Sequence, residues 1–148
     1  MVQGAINELP EEAVKLLSHV GKTVVIATVD GNGWPNTAPI AWAIAKDKQT
    51  IRMAINASAT TLQNIYGSDK VSLFISGDNI ALGVKGRARL LKEPMDSVPF
   101  ATAMVEVLVE AVDDKMAEPL GVTPTDMPTW EQRRRAVSDA AVEQELLS

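Results

Sequence analysis

The stretch from about 22 to 92 constrains this chain most. Apolar, β-branched runs recur there, each about one strand long and each closed by a turn signal. Thr23 to Val29 (TVVIATV) is the first, bounded by Gly21 and by Asp30-Gly31-Asn32-Gly33. Gly and Asn tolerate positive φ, so those four residues predict a hairpin turn. Trp34 to Ala45 reads as the returning strand. Pro35 and Pro39 each remove a backbone donor, which predicts that it is interrupted, bulged or at an edge. After the polar turn Lys46-Asp47-Lys48-Gln49, Thr50 to Asn56 alternates: Ile51, Met53 and Ile55 face one way, Arg52 and Ala54 the other. Lys70 to Ser76 is a further strand, with Val71, Leu73 and Ile75 inward. Gly77-Asp78-Asn79 turns the chain into Ile80 to Leu91. There Ile80, Leu82, Val84 and Leu90 share one face, and Lys85, Arg87 and Arg89 the other.

Helices flank and interrupt this pattern. Leu9 to Val20 reads as a short helix, with Pro10 in its first turn and Val14, Leu16, Leu17 and Val20 as its apolar face. Thr60 to Tyr66 reads as another, Thr60 and Gln63 fitting a capping box. After Glu93-Pro94, Phe100, Met104, Leu108 and Ala111 recur at spacings near 3.6, which predicts a helix over Ser97 to Lys115. Glu118 to Pro128 reads as a loop, and Thr129 as the cap of a last helix reaching about Leu147. The expectation is one mainly β domain over 1–148. It has an antiparallel barrel of about five strands at about 22–92, and a helical C-terminal part at about 97–148 with no closing strand.

Composition narrows the chemistry. The chain has 148 residues, 46% of them hydrophobic, enough for one real core. It has no cysteine, so disulfides, thiolate metal sites and cysteine nucleophiles are excluded. His19 is the only histidine, which disfavours a hydrolytic triad or a two-histidine metal site. If the protein is an enzyme, its reactive chemistry belongs to a bound cofactor. A net charge of −5 argues against nucleic acid and against an electrostatic membrane anchor. No apolar run approaches the roughly 20 residues of a membrane span, and Met1 to Pro10 has no secretory pattern. The expected location is cytoplasmic.

Two stretches are candidates for binding. In Asn56-Ala57-Ser58-Ala59-Thr60-Thr61-Leu62-Gln63-Asn64 a strand gives way to a hydroxyl-rich loop that opens a helix. Such a start either caps the helix or holds a phosphate on free N–H groups. In Asn36-Thr37-Ala38-Pro39-Ile40-Ala41-Trp42, proline and small residues leave backbone groups unpaired beside a tryptophan. That pattern fits either a stacking surface or a bulged edge strand with a core or interface tryptophan. The stripe Lys85, Arg87 and Arg89 is either a solvated face or a contact for a phosphate or an acidic partner. Arg133-Arg134-Arg135, with Glu131, Asp139 and Glu143 nearby, reads as a salt-bridged helix surface. Asp113 and Asp114 are adjacent on the expected helix and make a poor acid–base pair.

The order ATVDGNG, WPNTAPIAWAI, TIRMAINASATTLQNI, VSLFIS and GVKGRARLL resembles the pyridoxamine-phosphate-oxidase-like FMN-binding split-barrel family, over about Glu8 to Lys115. The resemblance implies an antiparallel Greek-key split β-barrel of six strands, working as a homodimer with FMN between the subunits. It implies that Thr37, Ala38, Pro39 and Ile40 lie along the flavin ring, and that Met53, Ala54, Ile55 and Asn56 lie beneath it. Ser58, Thr60 and Thr61 would hold the phosphate, with Asn64 bracing that loop. Where the family's loop commonly carries Lys or Arg, this chain reads Ala59, Thr60 and Thr61. The phosphate must then be met by hydroxyls, the helix start, and Arg52, Lys85 or Arg87. The residues that grip pyridoxal phosphate in the true oxidases have no counterpart here, so pyridoxamine phosphate is rejected as substrate. No catalytic side chain and no metal is expected. The implied function is an FMN-dependent oxidoreductase or electron carrier. The alternatives are the same dimer binding a deazaflavin or heme, or a scaffold without a cofactor. Interrupted strands and exposed Trp34 or Trp42 also call for a partner subunit.

Overall fold

The structure is a computed structural model and describes residues 6–115 and 138–148. The chain divides into two units, Met1–Asp114 and Lys115–Ser148.

The first unit holds seven antiparallel strands: β1 (Val24–Val29), β2 (Pro35–Ile40), β3 (Ala43–Asp47), β4 (Thr50–Asn56), β5 (Lys70–Gly77), β6 (Ile80–Lys92) and β7 (Thr102–Asp114). They form one sheet in the order β2-β1-β5-β6-β7-β4-β3. Its two edge strands, β2 and β3, are consecutive in the chain, separated only by Ala41 and Trp42. Two residues reach only about 10 Å, so the sheet must roll until its edges nearly meet without closing. This is a split β-barrel. Helix α1 (Glu11–Leu16) packs on β3. Helix α2 (Thr60–Gly67) packs on β1, β2 and β4 as it carries the chain from β4 across to β5. That long return gives the Greek-key connection. The rolled sheet encloses Ile26, Ile51, Met53, Ile75, Val105 and Val107, with Leu17 and Leu62 from the helical segments. The alternation expected of Thr50 to Asn56 is the observed one, with Ile51, Met53 and Ile55 buried.

The hairpins follow from turn chemistry. Asp78 and Asn79 both adopt positive φ between β5 and β6, as a two-residue primed turn requires. The Asp30 carboxylate accepts the N–H groups of Asn32 and Trp34, at 2.8 and 2.9 Å, and fixes the turn between β1 and β2. Gly86 sits at an irregularity where β6 meets β7, and a Cβ there would lie 2.5 Å from the Leu108 carbonyl oxygen. Only glycine fits that approach.

Four expectations are corrected. Ser97 to Lys115 is not a helix. Thr102–Asp114 is the long strand β7, inserted between β6 and β4, and it supplies the closing element thought missing. Val105, Val107 and Val109 are buried while Leu108 and Glu110 are exposed, a period of two that the looser spacing of Phe100, Met104 and Leu108 concealed. The helical C-terminal part at about 97–148 is therefore wrong over 102–114, and the barrel runs past 92. Trp34 to Ala45 is interrupted, one of the outcomes its prolines predict, at Ala41-Trp42; that break together with β7 gives the sheet seven strands rather than five. The first helix ends at Leu16, leaving Val20 outside it and exposed. Finally, Ala59 and not Thr60 is the N-cap of α2, and no side chain caps it.

In the second unit, α3 (Asp139–Leu147) is capped by the Ser138 hydroxyl, which accepts the Ala141 N–H at 3.2 Å. Thr129, the expected cap, lies outside the described residues. So do the loop over 118–128 and Arg133-Arg134-Arg135. No described helix is long and apolar enough to cross a membrane.

Candidate functional site

Two hollows flank the gap where the barrel's edges approach. The first, about 280 Å³, is a groove between Ala38–Trp42 on one side and Ala54, Ile55 and Asn56 on the other, with Ala59 and Thr61 at its end. Its shape follows from the sequence. β2 is an edge strand, so Pro39 forfeits no bond to a second neighbour, and Ala38, Ala41 and Ala54 leave space beside the backbone. The groove ends at the start of α2. Because Ala59 offers no capping side chain, the N–H groups of Thr60 and Thr61 make no hydrogen bond within the described residues. Thr61 is only 3% exposed. Its Oγ1 accepts from Asn36 Nδ2 at 3.4 Å, which leaves its own hydrogen to donate. Amides at a helix start together with a hydroxyl donor form a site for an anion.

Of the twelve residues named from the sequence, Ala38, Pro39, Ile40, Ala54, Ile55, Asn56 and Thr61 line this one groove. The other five do not. Thr37 is exposed on β2. Met53 turns into the core and lines the second hollow. Ser58 is drawn to Asn56, whose Oδ1 accepts both its N–H and its hydroxyl, at 2.9 and 2.8 Å. Thr60 is exposed at the helix start. Asn64 is buried and donates to Thr28 Oγ1 at 3.0 Å, pinning α2 to β1 and so fixing where the helix begins.

The second hollow, about 500 Å³, shares Trp42 and Ala54 with the first. It lies over the outward face of β3 and β4, bounded by Met104 of β7 and by Met95, Ser97 and Val98 of the segment before it. Trp42 stacks on Phe100, ring centroids 6.3 Å apart. Two cations line it, Lys46 and Arg52. Arg52 Nε donates to Glu106 Oε2 at 3.0 Å, while Nε and Nη2 of Arg89 donate to Oε1 at 3.0 and 2.8 Å. Glu106 is held below the ordinary carboxylate range, first by the Arg89 bonds and then by Arg52. Arg52 therefore faces the second hollow and not the end of the groove. Arg87 is committed to Glu110 and Asp69, at 2.9 and 3.2 Å, and lines neither hollow; nor does Lys85. None of the three cations expected to meet a phosphate lies in the groove. Its anion-holding capacity rests on amides and a hydroxyl. Among the described residues no group of three or more His, Asp or Glu is arranged to hold a metal.

The family model for pyridoxamine 5'-phosphate oxidase matches residues 9–138. The chain belongs to that family. No curated protein matches it. Among solved structures, one named after pyridoxamine 5'-phosphate oxidase, from Lactobacillus delbrueckii, is 25% identical with a TM-score of 0.61, covering 72% of this chain and 94% of that one. A protein named F420 reductase is 17% identical with a TM-score of 0.56, covering 71% and 98%. The heme storage protein HutZ of Vibrio cholerae is 15% identical with a TM-score of 0.56, covering 73% and 96%. The last two share the fold.

Lys46, Met95, Val98 and Met104 carry no site signal in the sequence, whereas Trp42, a candidate stacking surface there, borders both hollows. The second hollow needs the segment at 95–104, which reads as helical until its register against β4 is known.

Proposed function

We propose that this chain is a flavoprotein that holds FMN in the groove between β2 and β4. It acts as a flavin-dependent oxidoreductase or electron carrier rather than a pyridoxamine phosphate oxidase. One observation carries this reading: seven residues assigned to the cofactor from three separate segments converge on one groove that ends at unpaired helix-start amides. In this reading the Thr61 hydroxyl and the amides of Thr60 and Thr61 hold the phosphate, with Asn56 beside them. Ala38, Ile40 and Ala54 give the ring an apolar bed, and Trp42 borders it. Bound FMN would supply the acceptor for a hydride or for single electrons. The chain's part is to orient the ring and exclude water. At about 280 Å³ the groove is at the small end of ligand sites, so part of the cofactor would extend toward the second hollow.

The protein would work as a homodimer with the cofactor near the interface. Exposed Trp34 supports this, as does the unpaired edge of β2. A cysteine-free chain also suits the reducing cytoplasm.

A second reading stays open because the groove lacks a cation: a deazaflavin, whose phosphate contacts need not match those of FMN, in place of the flavin. Heme is less well served, since His19, the only histidine, lines neither hollow. Mass spectrometry of the small molecule that co-purifies, under native and denaturing conditions, tests the assignment. FMN is the expected mass. A deazaflavin or heme would replace this reading, and sedimentation as a monomer would remove the dimer.

A further inference from the structure

We propose that the second hollow binds an organic carboxylate with an apolar body, gripped end-on by Arg52. Naming that ligand as the flavin's redox substrate rests on the FMN reading; its binding does not.

Strand alternation sets the lining of this hollow. In β3, Ala43 and Ala45 point into the core, which turns Ile44 and Lys46 outward. In β4 the inward residues Ile51, Met53 and Ile55 turn Arg52 and Ala54 outward beside them. Met95, Val98 and Met104 complete an apolar wall. A cation beside such a wall is normally left to wave in water, but Arg52 is not. Its Nε is fixed on Glu106, and Glu106 is fixed in turn by Arg89. That spends one edge of the guanidinium. The two terminal nitrogens, Nη1 and Nη2, have no partner among the described residues. They form the edge of the fork that matches the two oxygens of a carboxylate.

Charge points the same way. The chain carries −5 overall, yet the charged residues lining this hollow are Lys46 and Arg52, and no carboxylate lines it. A ligand that is apolar along its length and anionic at one end matches both the wall and the fork. Because Trp42 and Ala54 border both hollows, its body would lie against whatever fills the groove.

The test is calorimetric titration of the full-length protein with 2-naphthoate and with its neutral amide, 2-naphthamide. The naphthoate should bind at least about tenfold tighter, the value of one charge-assisted contact. Arg52→Gln should abolish that preference and leave amide binding as it was. Arg52→Lys, which keeps the charge and loses the fork, should restore only part of it. Arg87→Gln, whose guanidinium pairs with Glu110 and Asp69 and lines neither hollow, should keep it. Equal affinities, no binding of either probe, or a preference that survives Arg52→Gln would overturn the proposal. Circular dichroism checks that each variant folds. If Arg52→Gln does not fold, the wild-type preference and Arg52→Lys decide. Flavin content is measured on the same samples. A colourless protein that prefers naphthoate keeps this site and discards the flavin. A flavin-loaded protein without the preference does the reverse.

Discussion

The two hollows share a wall but are built differently. The groove draws its lining from 38–42, 54–56 and 59–61, segments close together in the chain. The second hollow cannot form until 95–104 lies against β3 and β4, some fifty residues earlier. The first is a product of local grammar: prolines at an edge strand, small residues, and a helix opened by hydroxyls. The second is a product of register, and only the ladder between β4 and β7 sets it. The pairing of Met53 with Val105, and of Ala54 with Met104, places the apolar lip and Glu106 relative to Arg52.

The largest effect that would separate the two is Thr61→Glu. A carboxylate at the buried helix start repels the phosphate, so flavin content should fall to background while the naphthoate preference persists. Thr61→Val, which removes only the hydroxyl, controls for folding and should weaken flavin binding by about tenfold or less. Visible absorbance of the purified variants reads both. Ala54→Trp should erase the contrast instead, because Ala54 borders both hollows; flavin and naphthoate should be lost together. If only one is lost, the hollows are not contiguous.

Next in size is Glu106→Gln. The carboxylate's side chain is 11% exposed, but its guanidinium partners are 37% and 72% exposed. The several kcal/mol for breaking a buried pair is therefore discounted by solvent screening to roughly 2 kcal/mol. A carboxylate held below its ordinary value stabilises the fold above the unfolded-state pKa, and that stability is lost as pH falls through the lower folded value. Urea midpoints measured at decreasing pH should fall in wild type across that acid window. In Glu106→Gln they should fall less steeply. The smallest effect is expected for Asn64→Ala. It leaves Thr28 without its bond and should cost roughly 1 kcal/mol in urea unfolding. It should also loosen the start of α2, lowering flavin affinity while sparing the second hollow.

How much was legible follows the same division. Thr50–Asn56 matches its expected bounds, because a clean alternation between two turn signals leaves little to tertiary context. Asp78-Asn79 and Asp30 announced their turns through residues that tolerate positive φ or accept neighbouring amides. β7 reads as helical because the outward Met104 and Leu108 fall at helical spacing with Phe100 and Ala111, which hides the inward alternation of Val105, Val107 and Val109. Its strand character comes from pairing on both sides, with β6 and β4. Within the site, Asn64 pins α2 to β1 through Thr28, whereas the Ser58 hydroxyl, which the resemblance gives to a phosphate, is held by Asn56. The composition around Ser58 could not reveal which acceptor would win.

The account turns on whether amides and one hydroxyl at the opening of α2 can seat a dianion with no cation in the groove. A crystal structure of the protein grown with excess FMN tests this directly. The account predicts the phosphate on the N–H groups of Thr60 and Thr61 and on Thr61 Oγ1, with the ring along Ala38–Ile40. An empty groove, or flavin seated elsewhere, would contradict it.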